Sequence, residues 1–141
     1  MIGSRDGLFY INEATGIVKS FVKPVLTSDL ILTICFYEGE YYIGTYGGGM
    51  MVLNPQTLSL KYFTQGDTEL FQKGHIFCVK PDTKGNLWIG TSQGLFNYNG
   101  QTKQIKHFTS ANSQLLEGNV YEVSFDSTGK GWIATETGMC I

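Results

Sequence analysis

GNLWIGTSQGLFNYN, from Gly85 to Asn99, is the stretch that decides how the chain is read. Two runs rich in β-branched and aromatic residues, Asn86–Thr91 and Leu95–Tyr98, flank Ser92-Gln93-Gly94, where glycine lets the backbone reverse. That is a strand, a tight turn and a strand. The phrase recurs as IGSRDGLFYIN at Ile2–Asn12, IGTYGGGMMVLN at Ile43–Asn54 and IATETGMCI at Ile133–Ile141.

Working outward, the anchor isoleucine stands at Ile2, Ile43, Ile89 and Ile133, in steps of 41, 46 and 44 residues. A period in the forties made of short strands is that of propeller blades; helical repeats would need apolar residues three and four apart. The third copy reads as four strands, Ile76–Lys80, Asn86–Thr91, Leu95–Asn99 and Gln104–Thr109, followed by a crossover at Ser110–Asn119 and a new first strand at Val120–Phe125. Middle strands such as LWIG are nearly all apolar, as expected when both faces are covered. The outermost strands, IVKSFV, LKYF and QIKHF, admit charge, as an edge facing water does. The fold class expected is all-β, a partial β-propeller of about three four-stranded antiparallel blades with incomplete end blades. The boundaries expected are a partial blade over 1–30, a blade over 31–75 with its strands within 31–63, a blade over 76–119, and a partial blade over 120–141.

The chain has 141 residues, 42% hydrophobic and 16% charged, which is a packed globular composition. Net charge is −2 with no basic run, which argues against nucleic acid. No apolar run approaches a membrane-spanning length, so no membrane contact is expected in this segment. Met1-Ile2 leads straight into the repeat without a signal peptide, so the chain reads as cytosolic or as a piece of a longer exported one. Cys35, Cys78 and Cys140 fall at unrelated places in the repeat, and Cys35 and Cys78 sit inside apolar strands, where buried free thiols are expected.

Certain positions repeat as columns. Tyr42, Trp88 and Trp132 precede the anchor isoleucine, and Gly44 and Gly90 follow it. A ring in every copy fits a filler between blades better than a sugar-stacking platform. Thr45, Thr91 and Thr135, with Ser4 as first member, are expected to tie the strand end to the turn backbone. Asp82-Thr83-Lys84-Gly85 matches Asp126-Ser127-Thr128-Gly129, a turn in which aspartate accepts backbone N–H groups. A calcium loop needs more carboxylates than this single one, and no metal site or cofactor is expected.

No catalytic residue stands out. His75 lies in a crossover and His107 on an outer strand, neither with a nucleophile or metal partner at motif spacing. Gly47-Gly48-Gly49 is followed by a strand, not the helix of a phosphate loop, and reads as a bulged turn with one extra residue. Binding residues are expected on the face built from the turns between second and third strands and from the crossovers. The turns supply Arg5, Asp6, Tyr46, Ser92, Gln93, Glu136 and Thr137; the crossovers supply Lys73, His75, Glu117 and Asn119. These vary between copies, as loop tips carrying a site do.

Asp82, Gly85, Leu87, Trp88, Ile89, Gly90, Thr91, Gly94 and Leu95 follow the pattern D-x-x-G-x-[LI]-W-[IV]-G-T-x-x-G-[LI], and Asp126 to Ile133 repeats its first half. In this the chain resembles the two-component regulator propeller repeat along essentially its whole length, as two complete repeats and two partial ones. Tyr42 replaces the tryptophan, Tyr37 stands where the aspartate would be with a turn one residue shorter, and Ala134 replaces the glycine. The resemblance implies a periplasmic sensor region of a Bacteroidetes-type hybrid two-component system. Such a parent carries a β-sandwich domain, a membrane anchor, a histidine kinase and often a DNA-binding regulator, and its signals are oligosaccharides from complex glycans. The expected function is therefore a non-catalytic ligand-sensing segment. The alternatives are a structural or protein-binding propeller and, more weakly, a propeller lyase or hydrolase. Closed propellers have about 4–8 blades, so the expected partners are an oligosaccharide and either the remainder of the propeller or a second copy of the chain.

Overall fold

The computed structural model describes residues 1–28, 30–66 and 68–141. The strands form four antiparallel sheets in chain order. The first sheet holds β1 (Ile2–Ser4), β2 (Gly7–Ile11) and β3 (Val18–Phe21). The second holds β4 (Ile31–Tyr37), β5 (Glu40–Thr45), β6 (Met50–Leu53) and β7 (Leu60–Tyr62). The third holds β8 (Ile76–Pro81), β9 (Asn86–Thr91), β10 (Gly94–Asn99) and β11 (Gln104–Phe108). The fourth holds β12 (Val120–Phe125), β13 (Gly131–Thr135) and β14 (Gly138–Cys140). Each sheet is a meander, and β8 lies against β4 on one side and β12 on the other. First strands are therefore innermost, and the all-β propeller architecture is borne out.

The core lies between sheets. Leu8, Phe21, Leu26, Ile43 and Met51 fill the first wedge. Tyr42, Met50, Phe63, Phe71, Ile89 and Phe96 are among those filling the second. Cys78, Leu95, Leu115 and Val123 fill the third, with Trp88, Phe108, Phe125 and Ile133 against them. All of β6 is buried, whereas β11 is largely exposed, which is the polarity gradient read from the sequence. The three cysteines are free, Cys35 and Cys78 buried. Burial pushes the Cys78 thiol up to about 11, making it an unreactive core residue.

One element was not expected. The crossover after β7 contains a helix, α1 (Thr68–Lys73), with Leu70 and Phe71 fully buried. Glu69 in its first turn and Lys73 in its last suit the helix dipole. Six residues are too few to display a 3.6-residue apolar period, so nothing in the pattern announced it.

The columns hold the hairpins. Thr91 Oγ1 donates to Gly94 O at 2.8 Å and accepts from Gln93 N at 3.0 Å. Thr45 and Thr135 donate likewise to Gly49 O and Gly138 O, both at 2.9 Å, and Ser4 to Gly7 O at 3.2 Å. Asp82 Oδ1 accepts from Lys84 N and Asn86 N, while its Oδ2 accepts from the Trp88 indole at 2.9 Å. The aspartate thus sets the tryptophan's orientation as well as the turn. Where Tyr37 replaces it, Glu38 and Gly39 at φ 48° and 83° make the shorter turn. A further column escaped the sequence reading. Asn12, Asn54 and Asn99 each accept two backbone N–H groups, at the start of NEAT, NPQT and NGQT.

Candidate functional site

In the second, third and fourth sheets the turn following the second strand is bonded to the residue preceding the same sheet's first strand. Tyr46 N donates to Leu30 O at 3.0 Å, Ser92 N to His75 O at 3.2 Å, and Glu136 N to Asn119 O at 2.9 Å. This sets each turn beside its own crossover through backbone, and Gly49 N, donating to Gly74 O at 2.9 Å, links the second sheet's turn to the crossover entering the third. Thr137 Oγ1 donates to Glu117 O at 2.8 Å, and the Asn119 N–H reaches Glu136 Oε2 at 3.4 Å. Ser92, Gln93 and Glu117 line a cleft of about 340 Å³ together with Leu115 and Leu116. Lys73 is exposed in the last turn of α1. Arg5 and Asp6 are exposed in the first sheet's turn, where Asp6 N is held by Ser4 Oγ; among the described residues no hydrogen bond or ion pair joins either to the other candidates.

The glycine run in the second sheet is a bulged turn, as expected. Thr45 N bonds to Gly49 O across it, one residue longer than the Thr91–Gly94 turn. Gly47 and Gly49 have φ of 79° and 72°, and a Cβ at Gly49 would overlap the Phe71 carbonyl. Ser28 Oγ donates to Tyr46 O at 3.0 Å, fixing the turn from the preceding crossover. Tyr46 is thereby held outward with its ring 4.0 Å from that of His75.

His75 continues the contact to Phe77, and Phe77 to Tyr121. Phe77 and Tyr121 went unremarked in the sequence because each looks like an ordinary strand residue. Register shifts between Ile76 and Cys78 and between Val120 and Glu122 leave these two without a partner across the sheet. Such a bulge re-aims a side chain. The aligned positions before Cys78 and Glu122 were the signal available. His75 Nδ1 is buried with no hydrogen-bond partner, a defect costing about 1–3 kcal/mol that native structures seldom keep without a use. His107 is occupied otherwise: its Nε2 lies 2.7 Å from Gln93 O and its ring stacks on Phe96 at 4.0 Å.

The ring column does not reach this face. Tyr42 is buried in the second wedge, and Trp88 packs between Phe108 and Phe125 in the third. Trp132, on the outer side of the fourth sheet, is 39% exposed. Tyr42 and Trp88 thus act as fillers between sheets, and Trp132 does not. Among the described residues no three His, Cys, Asp or Glu side chains gather to hold a metal ion, and no helix is long and apolar enough to cross a membrane. The face offers ring faces, amides, hydroxyls and carboxylates.

Residues 71–93 match the family model described as two component regulator propeller. Among solved structures, the extracellular domain described as that of the hybrid two component system BT3049 of B. thetaiotaomicron is 30% identical over 97% of this chain and 17% of that one, with TM-score 0.70. The corresponding domain of BT4673 from the same organism is 22% identical over 97% of this chain and 18% of that one, with TM-score 0.77. PorZ, a surface component of the type-IX secretion system of Porphyromonas gingivalis, is 17% identical over 93% of this chain and 18% of that one, with TM-score 0.68. The last two likenesses show the fold alone. The chain spans under a fifth of the length of these structures. No curated protein matches it. The resemblance to two-component regulator propeller repeats is borne out.

Proposed function

We propose that this segment of two-component regulator propeller repeats is the ligand-sensing part of a signalling receptor and responds to oligosaccharides released from glycans. It acts without catalysis. The receptor is membrane-anchored, with this segment in the periplasm and a histidine kinase elsewhere in the parent protein. The observation that carries the reading is that in each of three sheets the turn is bonded to its own crossover in the same way, while the side chains there differ from copy to copy. A framework that repeats and tips that do not is how a scaffold presents a site. The match to the two component regulator propeller model and the 30% identity to the BT3049 extracellular domain support the signalling context.

The remainder of the propeller is the natural partner of the fourth sheet. Trp132, Met139 and Ile141 are exposed there at 39%, 66% and 62%, an apolar flank that water does not favour. The same flank supports a second reading, a structural propeller joined to another protein or to a second copy. Calorimetric titration with a panel of neutral and acidic oligosaccharides tests the first reading. Saturable heat with at least one member is expected. Silence across the panel, with light scattering showing a defined dimer, would transfer the weight to the structural reading.

A further inference from the structure

A row of aromatic rings crosses the loop face from the second sheet to the fourth. Centroids lie 4.0 Å apart from Tyr46 to His75, 6.1 Å from His75 to Phe77 and 5.0 Å from Phe77 to Tyr121. Tyr46 and Tyr121, at its ends, are 51% and 42% exposed, and Phe77 is half-buried between them. The bulges in β8 and β12 keep Phe77 and Tyr121 out of the regular sheet pairing. His75 sits between Tyr46, tilted against it, and Phe77, on which it stacks, and its buried Nδ1 has no hydrogen-bond partner. Rings filling a core would be covered; these are assembled from three sheets and left open at both ends.

The edge of the row is polar and acidic. Asn119 Nδ2 donates to the Tyr121 hydroxyl at 3.0 Å, leaving the amide oxygen and the phenol to address a ligand. Glu136 sits against Asn119 N, and Glu117 is exposed just before it in the chain. Lys73 lies near the other end, two positions before His75. Flat π faces suit the C–H face of a pyranose ring, while amide and hydroxyl groups suit its rim. One carboxylate at that rim and a second on the adjoining crossover repel an acidic sugar.

We infer that Tyr46, His75, Phe77 and Tyr121 form a subsite for an uncharged sugar ring, and that Glu136 and Glu117 select against uronate or sulfated ones. This rests on the proposed oligosaccharide reading and adds to it a place and a charge class. Titrate the chain, and its Tyr46→Ala, Tyr121→Ala and Glu136→Gln variants, with neutral hexasaccharides (malto-, xylo- and mannohexaose) and with hexagalacturonate, after checking each variant's fold by circular dichroism. A neutral hexasaccharide is expected to bind, to weaken about ten-fold in each ring variant, and to be preferred over hexagalacturonate. Glu136→Gln should narrow that preference. Neutral binding indifferent to both ring variants would overturn the subsite and leave the oligosaccharide reading standing. Preference for hexagalacturonate by the unaltered chain would overturn the charge selection. Binding of none of the probes would overturn subsite and reading together.

Discussion

The wedge between the second and third sheets and the wedge between the third and fourth are built on the same repeat but close differently. In the first, Phe71 of α1 is fully buried against Phe63 at 4.9 Å and Phe96 at 5.2 Å. In the second, the crossover supplies Leu115, and the positions matching Phe63 and Phe96 are Phe108 and Cys140. A cleft of about 190 Å³ remains there, lined by Leu115, Phe108, Ile133 and Cys140. Blade-to-blade closure thus differs at a crossover position, Phe71 against Leu115, and at a strand position, Phe96 against Cys140. The repeat fixes where a wedge lies; the sizes of these few side chains fix how well it is filled.

The largest test of that difference is Phe71→Ala against Leu115→Ala. The first should cost about 3–5 kcal/mol and the second about 2–3, because a site bordering a cleft loses less on truncation. Urea midpoints at constant slope measure both. Leu115→Phe, which would fill the cleft, is expected to gain about 0.5–1 kcal/mol. Equal losses at the two positions would show that the crossovers do not distinguish the wedges.

Next is the polar clasp peculiar to the tighter wedge. The Tyr37 hydroxyl donates to Gly85 O at 2.7 Å and accepts from Gly100 N at 2.9 Å, joining the second sheet to two turns of the third. Tyr37→Phe leaves that buried N–H unsatisfied and should cost about 1–3 kcal/mol. Faster amide exchange at Gly100, with other strands unchanged, would locate the loss in the clasp.

Much of this was legible beforehand. β9 coincides with the expected Asn86–Thr91, β12 with Val120–Phe125, and the threonine column bonds as expected, because period, strand alternation and turn chemistry are all local. Tyr37 was visible only as a departure from the pattern; its clasp depends on Gly85 and Gly100 of the next sheet, which no local rule brings near. The helix at Thr68–Lys73 was missed because it is stabilised by burying Leu70 and Phe71, a tertiary effect. At the candidate face, Tyr46, His75 and Asn119 could be placed from loop position. Phe77 and Tyr121 could not, since a bulge is a property of strand pairing rather than of residue type.

The tryptophan column carries the comparison to a smaller scale. Trp88 packs on Phe108 and Phe125, with its indole N–H 2.9 Å from Asp82 Oδ2; Trp132 is 39% exposed and reaches Asp126 Oδ2 at 3.5 Å. Trp88→Phe should cost about 1–2 kcal/mol and Trp132→Phe no more than about 0.5. Thermal midpoints of the pair suffice. A larger loss at Trp132 would mean that the fourth sheet is covered in solution by a partner of its own.

The smallest effect runs against the order of packing. At Asp82, burial pushes the carboxyl up, and bonds from the Asn86 side chain and backbone, the Trp88 indole and Lys84 N more than offset it, so it sits below the usual carboxylate range. At Asp126, the Thr128 hydroxyl and the Lys130 N–H lead, burial opposes them less, and the carboxyl falls to about 2. The looser blade thus holds the more acidic group, because its turn is equally well bonded and less desolvated. A depressed native value means the contribution is present above the unfolded carboxylate value of about 3.9 and is lost as pH falls through the native one. Asp126→Asn should accordingly flatten part of the stability loss between about pH 4 and pH 2 while changing little at pH 7. Carboxyl NMR titration of the unaltered chain should find Asp126 protonating at lower pH than Asp82. The reverse order would show that the Asp126 turn opens in solution, and that packing from a neighbouring wedge, not turn chemistry alone, keeps such a turn closed.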